Sequence, residues 1–480
     1  MQLRGINKSE FVSNSEALSP SPDALTPTII QRSEHGISRA NISDNALKVL
    51  YRLKDAGYAA YLVGGGVRDL LLGREPKDFD VATDAHPEDV KALFRNCRLV
   101  GRRFRLAHVF FGRETIEVAT FRATLDAGES EERDDIQSED EEGEVDAGER
   151  LIEDGRILRD NVYGTIDQDA WRRDFTINAL YYNISDFSLV DYAGGLEDLR
   201  HGVLRLIGDP LARYREDPVR MLRAVRFAAK LGFRIDPQAE APLPELGHLL
   251  REISSARLFD EVLKLFHGGA SLQTFELLRH YRLFEHLFPL TEQALAHEEG
   301  GFPVTFVANA LRNTDERINS GKSVTPAFLF AALLWEPVRE RAAQYQASEG
   351  MPVLPALQLA GADVIAEQAA HTAIPKRFSI PVREIWALQP RFEQRAGKRV
   401  LRLLSHPRFR AAYDFFCLRA RSGEALVEEC EWWTRLQEAS PEEQLRMVEG
   451  QGRPAGTGRR KRRRRKPQGA PRDNGSGGNA

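Results

Sequence analysis

Two short stretches decide the fold, and they read Leu62-Val63-Gly64-Gly65-Gly66-Val67-Arg68-Asp69 and, soon after, Lys77-Asp78-Phe79-Asp80-Val81-Ala82-Thr83. Alternate residues of a strand project from the same face, so Asp78 and Asp80 can point into one cleft while Phe79 and Val81 face the core. Mg²⁺ prefers one or two carboxylates and completes its shell with water and substrate phosphate. The pair therefore predicts metal-dependent phosphate chemistry, although an Asp-x-Asp alone also occurs on solvated turns.

Three successive glycines precede the acidic pair. At Gly64 and Gly65 the backbone can approach a ligand closely and turn its amides toward an anion, and Arg68 would add positive charge. Residues 67 to 73 read as a short helix that stops at a glycine, so a phosphate could also meet a helix N-terminus. Taken alone, the glycines favour an ordinary Gly-rich hairpin. The acidic pair beside them shifts the prediction to a phosphate-binding turn.

Length and composition set wide limits on the protein. A chain of 480 residues with 42% hydrophobic content can bury a full core and form two or three domains. It has no apolar run of about 18 residues and no apolar stretch near Met1, which predicts a soluble, cytoplasmic protein without stable membrane insertion. Cys97, Cys417 and Cys430 lack metal-ligand spacing and are predicted to be reduced core residues.

The net charge of -4 conceals two strongly charged segments. Residues 126 to 149 hold thirteen acids and one arginine, whereas residues 453 to 480 hold ten Lys or Arg and one acid. Both contain too few apolar residues to fold alone, so a disordered acidic loop and a disordered basic tail are predicted. The tail, with Arg462, Arg463 and Arg464 at its centre, favours nucleic acid as the partner; a solubilising or targeting role is the alternative.

The pattern of the chain changes near residue 210. Before that point, strands and helices are mixed: strands are predicted at 59 to 63, 79 to 83, 106 to 111 and 114 to 121, with helices at 43 to 56 and 87 to about 96. Beyond it the pattern is helical, with amphipathic runs near 218 to 231, 256 to 267, 274 to 288, 326 to 345 and 408 to 436. An α+β fold is therefore expected, with a mixed-sheet head followed by an all-helical region.

Two further segments hold polar residues suited to a nucleotide site. In the strand from Glu114 to Phe121, Glu117 is the best candidate for a third carboxylate beside the acidic pair, although a solvent-facing glutamate is the common alternative. In Arg172-Arg173-Asp174-Phe175-Thr176-Ile177-Asn178, helical spacing would place Asp174 and Asn178 on one face. Both could then bond to ribose hydroxyls while an arginine reaches phosphate. The alternative is a capped first turn of a helix.

The third segment is a predicted helix opening at Pro218. Arg220, Arg223 and Arg226 recur every three residues and form a basic stripe. Asp217 and Arg220 together offer an acceptor and donors to a base edge. In isolation, a solvated helix face explains the arginines equally well.

Together these segments resemble the nucleotidyltransferase family that contains class II CCA-adding enzymes and bacterial poly(A) polymerases. The matching pieces, in the family's order, are Gly64-Gly65-Gly66-Val67-Arg68-Asp69, the Asp78 and Asp80 pair, Arg172-Arg173-Asp174 with Asn178, and Glu216-Asp217 with Arg220. The resemblance covers residues 35 to 290 and extends more weakly to about 440. Each motif supplies a different part of one nucleotide site, so their joint occurrence is a specific signal.

The segment Leu99 to Val109, which includes Arg102 and Arg103, is similar to the signature of the bacterial poly(A) polymerase branch, and the basic tail also fits that branch. The resemblance implies template-independent addition of AMP from ATP to RNA 3′ ends, with release of pyrophosphate by a two-metal mechanism. The acidic insert at 126 to 149 departs from the family pattern. A tRNA CCA-adding enzyme is the alternative, and a non-catalytic RNA-binding scaffold is the alternative of another class.

The resemblance also implies roles for single residues. Asp78, Asp80 and Glu117 would hold Mg²⁺, with Mn²⁺ as a substitute. Asp174 matches an active-site acid of the family, and its chemistry suits ribose recognition. The predicted nucleotide-binding residues are Gly64, Gly65, Arg68, Arg173, Asn178, Asp217, Arg220 and Arg223, and the predicted RNA-binding residues are Arg102, Arg103, Arg462, Arg463 and Arg464.

Five regions follow from this resemblance. They are a polar lead at 1 to 40, a nucleotidyltransferase head at 41 to 210 with the acidic loop at 126 to 149, a helical nucleotide-recognition neck at 211 to 290, a helical RNA-binding body at 291 to 445 and a disordered basic tail at 446 to 480. The partners expected are ATP, the 3′ ends of mRNA and of decay intermediates, and RNA-decay proteins.

Overall fold

A computed structural model describes residues 26 to 101, 105 to 123, 150 to 153, 156 to 160, 162 to 296, 302 to 424 and 426 to 450. The predicted acidic loop and basic tail lie outside these residues, apart from the last residues before position 451. The described chain has a mixed-sheet head and a helical remainder, which confirms the α+β prediction. Among the described helices, none is both long enough and apolar enough to cross a membrane.

The head is built on one eight-stranded sheet. Its strands are β1 Thr28–Ile30, β2 Ala60–Val63, β3 Asp80–Thr83, β4 Cys97–Val100, β5 Leu106–Phe111, β6 Glu114–Thr120, β9 Leu180–Asn183 and β10 Leu189–Asp191. They lie in the sheet in the order β1-β10-β9-β2-β3-β6-β5-β4. Two further pairs are β7 Arg150–Glu153 with β8 Arg156–Asp160, and β11 Val203–Leu204 with β12 Arg234–Ile235. Within the large sheet, β3 and β6 pair in parallel and the other neighbours pair antiparallel.

Five α-helices accompany the sheet of the head in the described residues: α1 Asp44–Asp55, α2 Gly65–Leu71, α3 Pro87–Leu93, α4 Ile166–Trp171 and α5 Gly195–His201. The predicted helix at 43 to 56 is confirmed, because the Ser43 hydroxyl caps it by accepting from the Ala46 amide at 3.1 Å. Helix α3 ends at Leu93 rather than near residue 96, since β4 begins at Cys97. The strands predicted within residues 59 to 121 are confirmed to within one residue.

The helical remainder begins at α6 Pro210–Glu216 and α7 Val219–Leu231. It continues with α8 Pro237–Glu240, α9 Leu243–Leu246, α10 Ser255–Phe266, α11 Ser271–His280, α12 Phe284–Leu287, α13 Pro289–Ala296, α14 Phe302–Asn319, α15 Pro326–Leu333, α16 Trp335–Glu349, α17 Val353–Gln368, α18 Lys376–Leu388, α19 Lys398–Leu404, α20 Phe409–Arg421, α21 Val427–Glu438 and α22 Pro441–Gly450. Short 3₁₀ helices lie at Arg32–Glu34, Arg39–Asn41, Thr176–Asn178, Gly247–Glu252 and Gln389–Arg391.

Three of the predicted long helices are interrupted. The run at 274 to 288 divides into α11 and α12 around Arg282, which has a positive φ of 59°. The run at 326 to 345 divides at Leu334, and the run at 408 to 436 divides after Arg421, where Gly423 adopts a φ of 112°. The continuous apolar pattern did not reveal these breaks, because buried apolar residues continue on both sides of each one.

Separate apolar cores support the head and the helices. The first lies on one face of the large sheet and includes Val49, Leu62 and Val81, all fully buried. A larger core runs from Phe175 in the head through α7 into the helices up to α20, so the neck and the body share one apolar interior. A further core joins α19 to α22. The head is therefore packed against α7 through common buried residues.

One prediction about the cysteines is wrong. Cys417 in α20 and Cys430 in α21 form a disulfide, with their Cα atoms 5.3 Å apart, because the turn between these two helices brings the side chains face to face. Cys97 is a free, buried thiol, as predicted.

Candidate active site

The glycine turn lies directly against the acidic segment. Gly64 has a φ of 76°, a conformation that L side chains rarely adopt, and it caps the N-terminus of α2. A Cβ atom placed on Gly64 would lie 3.5 Å from Oδ2 of Asp80 and 3.9 Å from Nη1 of Arg173. A Cβ atom on Gly66 would lie 3.3 Å from the Asp78 carbonyl oxygen. The absence of side chains in this turn thus lets its backbone approach the acidic pair.

The acidic pair stands at the start of β3. Asp78 is exposed and precedes the strand, and Asp80 is its half-buried first residue. Phe79 and Val81 are buried, so the exposures alternate as the sequence indicated. Asp80 faces Glu117 across the parallel pairing of β3 with β6, so the sheet brings together carboxylates that are 37 positions apart in the sequence.

The electrostatics of Asp80 reveal an excess of negative charge. Burial raises its pKa to about 6, with a further rise from Glu117 and Asp78 and an opposing effect of Arg173. These three carboxylates thus interact with one another and are only partly neutralised. Within the part of the chain that the structure describes, no three His, Cys, Asp or Glu side chains converge closely enough to hold a metal ion by themselves. An open pair of carboxylates still fits Mg²⁺, which keeps several waters and takes other ligands from its substrate.

Arg173 is held beside this acidic group by two residues that the sequence analysis missed. Its Nη2 lies 2.8 Å from Oδ2 of Asp169, and its Nε donates to the Tyr181 hydroxyl at 2.8 Å. The Tyr181 hydroxyl in turn donates to Asp169 at 2.7 Å. Burial alone would raise the pKa of Asp169, but Arg173, Arg172 and the Tyr181 hydroxyl outweigh it and lower that pKa. The spacing of Asp169 and Arg173, four residues apart at the end of a helix, was the available sequence signal.

Asp174 lies in a separate ion pair. Its Oδ2 is 2.5 Å from Nη2 of Arg223, and its Oδ1 accepts from the Phe175 amide at 2.8 Å and from Asn178 at 3.3 Å. Burial raises its pKa, but Arg223 and these hydrogen bonds outweigh burial, so the net shift is downward. The predicted helical spacing of Asp174 and Asn178 is wrong: α4 ends at Trp171, and a 3₁₀ turn at Thr176–Asn178 brings the two side chains together instead.

Arg68 extends this chain of contacts to the glycine turn. Its Nη1 donates to Oδ1 of Asn178 at 2.8 Å, and its Nε and Nη2 donate to Asp69 at 2.9 and 2.7 Å. The residue is only 3% exposed. The structure therefore brings Arg68, Asn178, Asp174 and Arg223 into one network, which lies beside the Asp78, Asp80 and Glu117 group.

The two candidates for reading the base have firm partners within the protein. Asp217 ends α6, and its Oδ2 lies 2.7 Å from Nη2 of Arg257, a residue of α10 that the sequence analysis missed. Arg220 donates through Nη1 to Glu216 at 2.7 Å and to the Arg213 carbonyl at 2.8 Å. Both side chains are thereby held in place, which preorganises their remaining polar atoms for a ligand.

Arg213, a residue of α6, connects the candidate base-reading residues Asp217 and Arg220 to the turn that carries Arg173. Its Nη2 donates to the carbonyls of Arg172 and Arg173, both at 2.7 Å, and its Nη1 pairs with Glu216 at 2.7 Å. Burial, with the nearby charge of Arg220, lowers the pKa of Arg213 to about 10. Nothing in the local pattern marked this residue, because both acceptors are main-chain atoms about 40 positions away.

Three arginines surround the ring of Phe227. The guanidinium carbons of Arg68, Arg223 and Arg226 lie 5.2, 5.5 and 4.5 Å from the ring centroid. Arg68 and Arg223 pair with carboxylates, whereas Arg226 makes no hydrogen bond or ion pair within the described residues and its Nε is buried without a partner. Burial and the charge of Arg223 lower the pKa of Arg226 to about 10. An anionic ligand would compensate this half-buried charge.

The predicted RNA-binding residues Arg102, Arg103, Arg462, Arg463 and Arg464 lie outside the described residues. Their role stays a prediction from the sequence.

Comparison with known proteins assigns three stretches of the chain to family models. Residues 60 to 205 match the model described as "Poly A polymerase head domain". Residues 232 to 295 match "Probable RNA and SrmB- binding site of polymerase A", and residues 349 to 467 match "Polymerase A arginine-rich C-terminus".

Curated relatives match nearly the whole chain. The chain is 50% identical over 452 residues to poly(A) polymerase I of Salmonella typhi, covering 94% of both chains. It is 51% identical over 443 residues to poly(A) polymerase I of Escherichia coli O6:H1, covering 92% of both. Among solved structures, it is similar to the Bacillus stearothermophilus CCA-adding enzyme in complex with CTP, with a TM-score of 0.51, 25% identity and coverage of 86% of this chain and 88% of that one.

Proposed function

Because this chain belongs to the bacterial poly(A) polymerase family, we propose that Asp78, Asp80 and Glu117 form the catalytic centre of an RNA-adenylating enzyme. The protein is a polynucleotide adenylyltransferase, which adds AMP from ATP to RNA 3′ ends without a template. The observation that supports the proposed centre is the pairing of Asp80 with Glu117 across two strands, with Asp78 close enough to perturb Asp80.

A divalent metal belongs at this centre, and we assign it as Mg²⁺, with Mn²⁺ as a substitute. The carboxylates of Asp78, Asp80 and Glu117 would hold it together with water and substrate phosphate, because these three do not converge closely enough to hold it by themselves and hard cations prefer oxygen donors that carry negative charge. When bound, such a metal lowers the effective pKa of the attacking hydroxyl and screens the charge of the departing pyrophosphate. Burial, followed by repulsion from Glu117 and Asp78, disfavours the charged form of Asp80, and a bound cation would offset both effects.

The remaining chemistry falls to residues of the chain that bind and orient. The RNA 3′ oxygen forms a bond to the α-phosphorus of ATP as the bond to the β-phosphate breaks, and pyrophosphate leaves. The amides of the turn at Gly64 and Gly65 would approach the phosphates, and Arg173 would lie beside them, since it is close to both Gly64 and Asp80. No covalent enzyme intermediate is needed for this single displacement.

Positive charge for the triphosphate would come from the cluster around Phe227. Arg68 and Arg223 are already engaged by carboxylates, so their contribution would be partial. Arg226, which the sequence analysis treated only as part of a basic stripe, lies in the same cluster with a buried, unpartnered Nε and without an ion pair within the described residues. We therefore add Arg226 to the candidates for neutralising phosphate.

Ribose and base would be recognised on the other side of the turn. Asp174 and Asn178 offer polar atoms to ribose hydroxyls, although the Arg223 pair limits how far Asp174 can turn. Asp217 and Arg220 would read the base, each oriented by a neighbouring charge. A site whose buried polar groups lose their partners with the wrong base discriminates strongly, and template-independent selection requires this property.

Primer extension tests the function directly. An unstructured labelled RNA is incubated with Mg²⁺ and each nucleoside triphosphate separately, beside a tRNA that lacks its terminal CCA. Long ladders with ATP alone are expected. Addition of two C residues and one A to the tRNA would instead identify a CCA-adding enzyme, and no incorporation under any condition would favour a binding scaffold.

Two expectations about the cellular setting stay predictions. A protein partner in RNA decay is proposed to dock near residues 232 to 295, because the family model matched there is described as a probable site for RNA and SrmB. Co-purification with this segment intact or replaced would test that proposal. The cytoplasmic location rests on the sequence alone.

A further inference from the structure

A second basic cleft lies in the helical body. Helices α14, α15, α18 and α20 enclose a groove of about 960 Å³. The groove is formed by residues 309 to 421, so it is separate from the Asp78 and Asp80 centre and from the stretch at 232 to 295 that matches an RNA-binding family model. Six arginines line it: Arg312, Arg317, Arg377, Arg408, Arg410 and Arg421. We refer to it as the arginine groove.

Most of this positive charge is not neutralised. Of the six arginines, Arg408 pairs with Glu384 and Arg410 with Asp414, both at 3.0 Å. The other four have no carboxylate partner within the described residues. Arg312 donates to the Asn309 side chain at 2.6 Å, and Arg317 donates to a main-chain carbonyl at 3.3 Å. The wall adds two acids, Glu316 and Asp414, so its side chains carry a net charge of +4.

Flat apolar surfaces alternate with these charges. Phe328 and Phe378 are half-buried in the wall, whereas Tyr413, which also lines it, is buried. The guanidinium carbon of Arg377 lies 4.9 Å from the ring centroid of Phe378, and that of Arg410 lies 5.5 Å from Tyr413. Cationic side chains that track phosphates, interleaved with aromatic faces for bases, are the common design of sites for single-stranded nucleic acid.

We propose that the arginine groove binds the single-stranded RNA upstream of the 3′ end that is being extended. This inference rests on the proposed polyadenylation function, because RNA is then the polyanion that the enzyme must hold. The volume is at the upper end of the roughly 300 to 1,000 Å³ found for small-molecule pockets, so it accommodates nucleotides rather than a single ion. Binding in the groove, away from the proposed active site, would retain the RNA between successive additions of AMP.

The first test replaces two exposed arginines of the groove. In R377A/R421A, neither lost side chain has a carboxylate partner within the described residues, so folding should be unaffected. Affinity for a long unstructured RNA should fall about 10-fold. The slope of log K against log salt is negative, and its magnitude should decrease by about 1.4, since each of the two lost contacts with single-stranded RNA contributes about 0.7. The matched control is R113A/R435A, which removes two exposed arginines outside both the groove and the basic tail.

Primer length separates the groove from the active site. Wild type and R377A/R421A should bind very short primers with equal affinity, because such primers do not extend from the active site to the groove. The two affinities should diverge as primer length increases. Addition of a single AMP at saturating RNA should be unchanged, whereas product ladders at limiting RNA should shorten. A charge reversal, R317E, should give a loss of affinity comparable to that of R377A/R421A on the same long RNA, because both variants lower the charge of the groove by two units.

The outcomes distinguish this proposal from the proposed function. If all groove variants bind long RNA like wild type, the proposal is overturned, and the groove suits an acidic protein segment instead. If the wild-type protein adds no AMP, the proposed function fails, yet the binding measurements still report on the groove. Crosslinking of RNA that carries 4-thiouridine upstream of its 3′ end should label one or more of α14, α15, α18 and α20; labelling confined to other helices would also overturn the proposal.

Discussion

Asp80 and Glu117 stand opposite each other on two neighbouring parallel strands. The parallel register places the first residue of β3 opposite the middle of β6, so the two carboxylates meet where β3 begins, beside the glycine turn that leads into α2. Asp78, two positions before Asp80, completes the group from a loop. The proposed centre thus draws on two strands and a loop, and each of its members can be tested separately.

Removal of either motif aspartate should abolish adenylation. For D78N and D80N we expect kcat to fall at least about 10²-fold, because each change removes a charged oxygen donor where charge develops in the transition state. RNA affinity, measured by filter binding, should stay within about twofold of wild type. Continued extension of RNA by a D78A/D80A enzyme would show that the metal site lies elsewhere.

Substitution of Glu117 should have a graded effect. In E117Q the neighbour that raises the pKa of Asp80 loses its charge, so the enzyme should need more Mg²⁺ for half-maximal activity while retaining measurable kcat. A titration of rate against Mg²⁺ concentration measures this shift. The matched control is E114Q on the same strand, where Glu114 accepts from Asn45 at 2.6 Å and is outside the acidic group. Equal Mg²⁺ curves for E117Q and wild type would remove Glu117 from the centre.

Stability should depend on pH through Asp169. Its pKa is lowered in the folded protein, so its contribution is complete above the ordinary value of about 3.9 and is lost as pH falls through the folded value. At pH 7, D169N should lower the free energy of unfolding by about 3 to 5 kcal/mol, because the half-buried Arg173 loses its buried charged partner. The difference between D169N and wild type in urea unfolding should shrink below pH about 4. Two outcomes would contradict this role. One is a loss of unfolding free energy in D169N, relative to wild type, that stays constant down to pH about 2.5; the other is a loss that appears in the control D167N but not in D169N.

Nucleotide choice should depend on Arg257. The R257A change frees Asp217 from its ion pair, so the base-reading carboxylate can turn away from its position. We expect the ratio of kcat/KM for ATP to that for CTP to fall about 10-fold. R251A, which removes an exposed arginine of the neighbouring 3₁₀ segment, serves as the control. An unchanged ratio in R257A would mean that Asp217 does not select the base.

The basic tail should set the salt sensitivity of RNA binding. Deletion of residues 453 to 480 removes ten Lys or Arg and one acid. The apparent KM for RNA should rise, and its dependence on salt should flatten, because fewer counterions are released on binding. The rate of AMP addition at saturating RNA should be unaffected. Identical salt curves for the full-length and shortened proteins would argue against contact between the tail and RNA.

The fold was predictable where local pattern and tertiary structure agree. The strand at 79 to 83 and the helix capped by Ser43 were found because alternation and capping are local properties. The acidic pair was recognised from its spacing, although only Asp80 lies in the strand and Asp78 precedes it. The turn at Asp174 was misread as helix, since five consecutive residues fit a helical repeat equally well.

The partners of the site residues were not predictable in this way. Arg257 reaches Asp217 from 40 positions away, and Tyr181 joins Asp169 only because β9 passes beside the end of α4. Arg226 appeared to be one member of a solvated stripe, and its half-buried position emerged only when the head packed against α7. Such relationships depend on how distant elements meet, which no single segment encodes.

The contacts of Arg213 limit how this protein could be recombined with its relatives. One guanidinium holds the main chain at Arg172 and Arg173 while it shares Glu216 with Arg220. A chimera that imported α6 and α7 from a CCA-adding enzyme, but kept the native turn at 172 to 173, would combine two surfaces not selected to fit each other. A unit of nucleotide specificity that is transferred between relatives must therefore include both the turn at 172 to 173 and helices α6 and α7. A chimera with its crossover point between residues 174 and 213 would separate them.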